Sequence, residues 1–308
     1  TSTWASEIYE LGINRCSLGV QSTHDRLLKT LGRDHSGQEG LRAFECLRSA
    51  GFTNLSVDLI LAIPGQTLGE LREAVHRLLE LRPEHLSLYS MSIAPRTVFF
   101  KKRARGRLTT LDEDLEAQML QWAWSILEEQ GFVHDEVSNF SRPNSFSQHN
   151  RLYWQGGAYL GIGPGAHSFL HQDSSRGWRW ENRRRVEHYL QAWLGQATPA
   201  VIPANAGIQR TSDVPTCLDS RVRGNDLQKD IQYIEELNGE QLWRERFMCG
   251  LRTQEGVLLP ELGSVAPFAQ MESGMRRAIL SGWATRIENR LRPTPQGMLM
   301  ADSLAELF

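Results

Sequence analysis

Cysteine is scarce in this sequence: four in 308 residues, Cys16, Cys46, Cys217 and Cys249, and no two are close together. There is no C-x-x-C pair and no C-x3-C-x2-C run, so these thiols build no sequence-local zinc or iron–sulfur site. Few, scattered thiols suit a reducing compartment, and the expected location is the cytoplasm. No run of ~18 apolar residues is present, which excludes a helix that spans a membrane. No basic-then-apolar leader precedes the first motif, so no secretory signal is read. The chain opens on Thr1 rather than Met, which fits an N-terminally incomplete sequence. An excess of charge is missing too: 34 Lys and Arg against 36 Asp and Glu leave −2, which argues against bulk nucleic acid as the main partner. With 40% hydrophobic and 23% charged residues, disorder and collagen are excluded.

The first half alternates two hydrophobic periods. Residues 14–20 (NRCSLGV) read as a short strand, and residues 37–50 place Leu41, Phe44 and Leu47 at helical spacing before Gly51. Residues 54–62 (NLSVDLILA) read as a parallel strand buried on both faces, with Asp58 inside it. Helix 68–81 follows, closed by Arg82-Pro83, then strand 85–93 and an amphipathic helix 112–130 closed by Gly131. Strand and helix in this alternation predict right-handed βαβ units on a parallel sheet. About three strands are expected, too few for a closed eight-stranded barrel, and a sheet so small has raw edges.

From Phe132 the character changes. Residues 133–137 read as a strand, and residues 139–169 are rich in Gly, Asn, His and aromatics. Residues 183–194 read as a basic-faced helix with Val186, Tyr189, Leu190 and Trp193 inward, and residues 240–251 as another helix. The tail reads helix, hairpin (284–293), helix, which suggests either a winged-helix-like module or a helical cap on the main domain. Residues 201–226 stand apart, with Pro203, Gly207, Pro215 and Gly224, no helical period and balanced charge. They resemble a translated interspersed repeat and are expected to form a tolerated, mobile insertion, since each doubling of loop length costs only ~0.6 kcal/mol.

Four constellations offer chemistry. Gln21 ends the first strand, at the edge where parallel α/β sheets bind ligands, and its amide suits a carboxylate or a ribose; otherwise it caps the following helix. Arg33 either forks onto a carboxylate or is solvated. Asp58 needs a partner in so apolar a run: Arg33, a ligand hydroxyl or amine, a cavity, or a structural Arg. Ala62-Ile63-Pro64-Gly65-Gln66-Thr67 breaks the strand, and Thr67 is placed to cap the next helix. The densest run is His149-Asn150-Arg151-Leu152-Tyr153-Trp154 followed by Tyr159-Leu160-Gly161-Ile162-Gly163-Pro164-Gly165-Ala166-His167. His149 and His167 are candidate axial haem ligands, with Tyr153 and Trp154 as rings for a porphyrin face; each His read singly is equally a structural histidine. The glycine spacing matches neither a P-loop nor a full dinucleotide fingerprint.

In this order, SLGVQS at 17–22, LGR at 31–33, VDLI at 57–60, IPGQT at 63–67, HLSLY at 85–89, EVSNF at 136–140, HNRLYW at 149–154 and YLGIGPGAH at 159–167 closely resemble the radical S-adenosylmethionine (SAM) haem chaperones. These are relatives of oxygen-independent coproporphyrinogen III oxidase. The resemblance covers nearly all of the chain outside the insertion. It implies an α/β fold: a partial (β/α)6-type barrel lacking its first strands, with a C-terminal α+β, winged-helix-like domain. The implied divisions are the C-terminal part of the barrel at 1–131, a haem-chaperone segment packed on it at 132–200, the insertion at 201–226 and the C-terminal domain at 227–308.

By motif position, the resemblance makes Gln21, Arg33 and Asp58 SAM contacts, with Ser92 and His167 as further SAM-proximal residues. The H-N-x-x-Y-W signature, His149, Asn150, Tyr153 and Trp154, separates haem chaperones from true oxidases and implies a haem-binding element with His149 as iron ligand. The family's [4Fe–4S] motif, C-x3-C-x2-C, has no counterpart here, and without three clustered thiolates there is no site-differentiated cluster. The expectation is a haem-binding chaperone that serves respiratory haemoproteins, unable in this chain to cleave SAM reductively. Membrane contact, if any, is expected through those partners. The alternatives are coproporphyrinogen III oxidation by a longer parent chain, and a truncated gene product without function.

Overall fold

Two strand–helix–strand crossovers build the first sheet. The computed structural model describes residues 2–194, 231–259 and 268–308. The expected insertion at 201–226, including Cys217, lies outside the described residues. The chain divides into two units, Thr1–Ser147 and Gln148–Phe308.

In the first unit, helix α1 (Ser2–Glu10) precedes strand β1 (Cys16–Gln21), helices α2 (Asp25–Thr30) and α3 (Gly37–Ser49), and strand β2 (Leu55–Leu61). Helix α4 (Leu68–Glu80), strand β3 (His85–Ser90), helices α5 (Val98–Ala104) and α6 (Glu113–Glu129), and strands β4 (Val133–Glu136) and β5 (Asn139–Ser141) complete it. The sheet order is β1-β2-β3-β5-β4, with the first three strands parallel. β5 runs antiparallel to β3, and β4 antiparallel to β5.

The helices start where their caps dictate. Ser36 Oγ accepts from the Glu39 amide at 3.2 Å while Glu39 returns the bond to Ser36. Thr67 and Glu70 form the same reciprocal pair at α4, as the sequence suggested for Thr67. Leu55, Val57, Leu59 and Leu61 of β2 are buried, in a unit whose core also takes Leu41, Phe44 and Leu47 of α3 and Leu71, Ala74, Val75 and Leu78 of α4. The intervening positions of β2, Asp58 and Ile60, are half-buried. Period 2 therefore splits β2 into a face of buried Leu and Val and a face that carries Ser56, Asp58 and Ile60.

Two expectations are corrected by this sheet. It has five strands, not about three, because residues 133–141 fold back as an antiparallel hairpin on β3. For the same reason the boundary expected after residue 131 falls inside the first unit. β1 remains an edge of this sheet among the described residues.

The second unit begins with helix α7 (Gln148–Trp154) and strands β6 (His167–His171) and β7 (Arg176–Asn182). Helix α8 (Val186–Leu194) follows, and strand β8 (Ile231–Asn238) completes an antiparallel sheet in the order β6-β7-β8. Helix α8 starts three residues later than expected, and Val186 and Leu190 are exposed rather than inward; the side chain of Trp193 lies outside the described part. Helix α9 (Gly239–Gly250), strand β9 (Val257–Leu258), helix α10 (Phe268–Leu280) and hairpin β10 (Ala284–Ile287)–β11 (Arg290–Pro293) follow, then helices α11 (Pro295–Leu299) and α12 (Ala301–Ala305). β9 joins the hairpin in the order β10-β11-β9. Trp243, Phe247, Leu251, Met275, Leu291 and Leu304 form its core. Helix, short strand, helix and hairpin is the winged-helix-like order; a purely helical cap would lack the sheet.

Candidate functional site

The parallel register of β1 and β2 brings the first group together. Gly19 lies opposite Asp58, and Asp58 opposite Ser87. Ser17 Oγ donates to Asp58 Oδ1 at 2.9 Å. Arg15, whose pKa burial lowers, feels Asp58 and Glu84 as opposing charges that raise it. Asp58 is thus held by a neighbouring serine and a nearby Arg15, and not by Arg33. Arg33 is exposed on the turn after α2 and makes no ion pair with Asp58 among the described residues.

Gln21 has φ of 65°, in the left-handed region that a non-glycine residue adopts at a cost of ~1–3 kcal/mol. The register slips between Gly19 and Gln21, and a Cβ at Gly19 would meet Gln21 Nε2 at 2.5 Å. The Gln21 amide therefore lies back over Gly19, on the strand next to Asp58. The helix-capping alternative for Gln21 fails: the N-cap of α2 is His24, and it makes no side-chain cap bond. The donor and acceptor of Gln21 at the end of β1 and the carboxylate in the middle of β2 suit a polar ligand carrying hydroxyl and amino groups. Ser92 is exposed two residues beyond the end of β3, so it is a loop residue and not the strand end expected.

Further down the same face of β2, Ser56 Oγ and His85 Nδ1 are 2.8 Å apart. His85 pairs across the sheet with Ser141, and both are buried. Burial holds the His85 pKa down to about 3, with the Arg15 charge adding to the shift. Neither His85 nor Ser17 stood out in the sequence: each is one polar letter inside a strand, and the cross-strand register alone gives it a partner.

The second group lies in the second unit. His149 and Tyr153 are one helical turn apart on α7, both exposed, with ring centroids 4.8 Å apart. Tyr153 continues to Tyr159 at 4.5 Å, and Tyr159 to Phe169 at 6.2 Å. The result is a row of rings from the start of α7 to β6. Phe169 was not singled out from the sequence; the Tyr159–Phe169 bridge puts it in the row. Asn150 and Trp154 are half-buried on the same helix.

The glycine loop between them is pinned. Asn182 Nδ2 donates to the carbonyls of Gly161 at 3.1 Å and Gly163 at 3.0 Å. Gly163 N donates to Tyr189 Oη at 3.1 Å. Gly161 has no room for a side chain, since a Cβ would sit 2.1 Å from the His167 carbonyl. Leu160, 51% exposed, and Ile162, 85% exposed, present apolar surface to solvent from this loop. His167 is exposed at the start of β6, 4.0 Å from a carboxylate oxygen of Glu181. Arg184 bonds Glu181 and holds its carboxyl below the usual range.

Comparison with known proteins fits this geometry. A radical SAM superfamily profile matches residues 2–78, and a HemN C-terminal domain profile matches residues 237–300. The heme chaperone HemW of Lactococcus lactis is 42% identical over 247 residues, covering 80% of this chain and 55% of that protein. The HemW of Bacillus subtilis is 39% identical over 181 residues, covering 59% of this chain and 46% of that protein. The chain is a HemW-like radical SAM protein. It spans about half the length of these curated relatives. Among solved structures, coproporphyrinogen III oxidase (HemN) of Escherichia coli superposes with a TM-score of 0.69 at 16% identity, over 100% of this chain and 66% of that one, which supports the fold.

The family uses SAM and a [4Fe–4S] cluster. The Gln21 amide and the Asp58 carboxylate, on neighbouring strands, offer a donor and acceptors of the kind a nucleoside ligand takes. Among the described residues Cys16, Cys46 and Cys249 are separate free thiols, and no group of three or more His, Cys, Asp or Glu side chains could hold a metal ion. No described helix is long and apolar enough to cross a membrane.

Proposed function

We propose that this chain is the haem-binding part of a haem chaperone, and that His149 is its iron ligand. The observation that carries the reading is the exposed His149 imidazole set at the end of the Tyr153–Tyr159–Phe169 ring row. A neutral imidazole supplies the nitrogen lone pair that haem iron takes, and flat rings with the exposed Leu160 and Ile162 offer apolar surface to a porphyrin. Open surroundings suit a cargo that must leave again. The respiratory haemoproteins that receive it, and a cytoplasmic location, follow from the same reading.

Gln21 and Asp58, with Arg33 and Ser92 as outlying members in the same unit, are the proposed SAM contacts. SAM bound to a site-differentiated cluster supplies a 5′-deoxyadenosyl radical; this chain's residues orient the nucleoside and do not anchor the iron. This chain is therefore inert in reductive SAM cleavage. Anaerobic reconstitution that yields stoichiometric iron and 5′-deoxyadenosine overturns that statement.

Haemin titration of the full chain tests the chaperone reading. A Soret band forms, and His149→Ala shifts it or weakens binding at least tenfold, the loss of ~1.4 kcal/mol or more. A spectrum and affinity unchanged by His149→Ala remove His149 as ligand.

A further inference from the structure

We propose that residues 96–107 form a docking element for an anionic lipid bilayer surface. The inference stands apart from the haem reading. Its core is α5, seven residues of which none is buried. Val98 is 66% and Phe100 44% exposed. Arg96, Lys101, Lys102, Arg103, Arg105 and Arg107 surround them, and all six are exposed. No Asp or Glu occurs between Glu84 and Asp112, in a chain whose overall charge is −2. None of the six cations pairs with a carboxylate among the described residues; Lys102 rests its ammonium 5.6 Å from the Phe99 ring.

A short helix with no buried face is marginal alone, so something else must hold it. Here the ends do. Thr97 Oγ1 accepts from the Phe100 amide at 3.2 Å and donates to the Ala94 carbonyl at 2.7 Å. At the other end Gly106, with φ of 66°, donates to Arg103, and Arg107 N donates back to the Lys102 carbonyl at 2.9 Å. That is the two-bond glycine stop of a well-ended helix. The caps present exposed apolar side chains and a cluster of cations on one ordered element.

That combination selects its partner by chemistry. Cations near an anionic bilayer are each attracted within a Debye length, and apolar side chains among them reach the headgroup–acyl boundary. A nucleic acid would satisfy the cations but leave Val98 in water, and the near-neutral chain lacks the broad basic surface that a phosphate backbone wants.

The test is cosedimentation of the full chain with phosphatidylcholine vesicles and with vesicles in which a third of the lipid is phosphatidylglycerol. The chain pellets with the anionic vesicles, hardly with the neutral ones, and salt weakens binding. Replacing Lys101, Lys102 and Arg105 together by Ala weakens it about a hundredfold, at roughly one kcal/mol per cation. Phe100→Ser weakens it less and leaves the salt dependence intact. Arg244→Ala and Arg276→Ala, exposed elsewhere, leave it unchanged. None of these side chains is in a core, so loss of folding does not mimic the result. Equal binding to both vesicle types, full binding by the triple variant, or tighter binding to a single-stranded oligonucleotide than to anionic vesicles at equal phosphate concentration overturns the proposal.

Discussion

The two candidate sites rest on opposite kinds of support. Gln21 ends β1 and Asp58 lies mid-way along β2, a strand whose other face is buried leucine and valine. His149 and Tyr153 sit on a seven-residue helix with no buried residue, and Tyr153 is 38% exposed. In the first, geometry is inherited from a core: register puts Gly19 beside Asp58, and the core fixes register. In the second, geometry comes from ring contacts and a pinned glycine loop. One site rests on its sheet; the other is open to solvent and borders no core of its own helix.

The difference predicts unequal damage. Leu59, fully buried in β2, is flanked by the positions that carry Asp58 and Ile60. Leu59→Ala costs about 2–5 kcal/mol, read as a lowered urea midpoint. Ile162→Ala, on the exposed loop of the second site, costs no more than about 0.5 kcal/mol. Equal losses would mean that the loop carries more packing than its exposure shows.

Acid separates the regions next. Burial holds His85 at a pKa of about 3 and His134 at about 4, against ~6.5 in the unfolded chain. The unfolded state thus binds protons first as pH falls. Stability is full above pH ~6.5 and declines below it, by about 2 kcal/mol per histidine between pH 7 and pH 5. Glu136 acts in the other direction, because burial raises its pKa and protonation favours the folded form. Urea midpoints at the two pH values check the net slope, and His134→Phe, in a ring stack with Phe140 at 4.1 Å, should remove about half of it. A slope unchanged by His134→Phe would refute the burial of that histidine.

The sequence carried the first region's framework further than its chemistry. Capping residues and hydrophobic period marked α3, α4 and β2 nearly to the residue, because those signals are local. The strand at 133–137 was legible, but β5 and the pairing of the hairpin with β3 were not, because a three-residue strand is too short for a period to show and that pairing is long-range. Asp58 was visible as a charge in an apolar run, but its partner was not. Ser17 is 41 residues away and meets it through register alone. In the second region the H-N-x-x-Y-W letters were legible through resemblance, and the ring row was not, since Phe169 joins from another strand.

Asn182 lies between the two extremes. It is buried, yet it serves an exposed loop by holding the Gly161 and Gly163 carbonyls. Asn182→Ala strands two acceptors, at about 1–3 kcal/mol if water cannot reach them and less if it can. Haemin affinity in this variant reports whether loop order matters to the ring row. A fall with the His149 signature retained places the loop in the apolar wall.

The smallest stability effect belongs to Tyr153. Its contacts with His149 and Tyr159 are edge-on, each of a kind that adds about 0.5–1.5 kcal/mol when buried, and solvent already reaches the ring. Tyr153→Ala therefore shifts the urea midpoint little, by about 1 kcal/mol or less. Its effect on haemin should be larger than its effect on folding, because the ring bridges the candidate ligand and the rest of the row. Tyr153→Phe keeps the ring and loses only the hydroxyl, so it should bind haemin as the unmodified chain does. If Phe fails as badly as Ala, the hydroxyl is the contact and the flat-face argument is wrong. If neither change matters, the row is packing within the second unit and His149 acts without it.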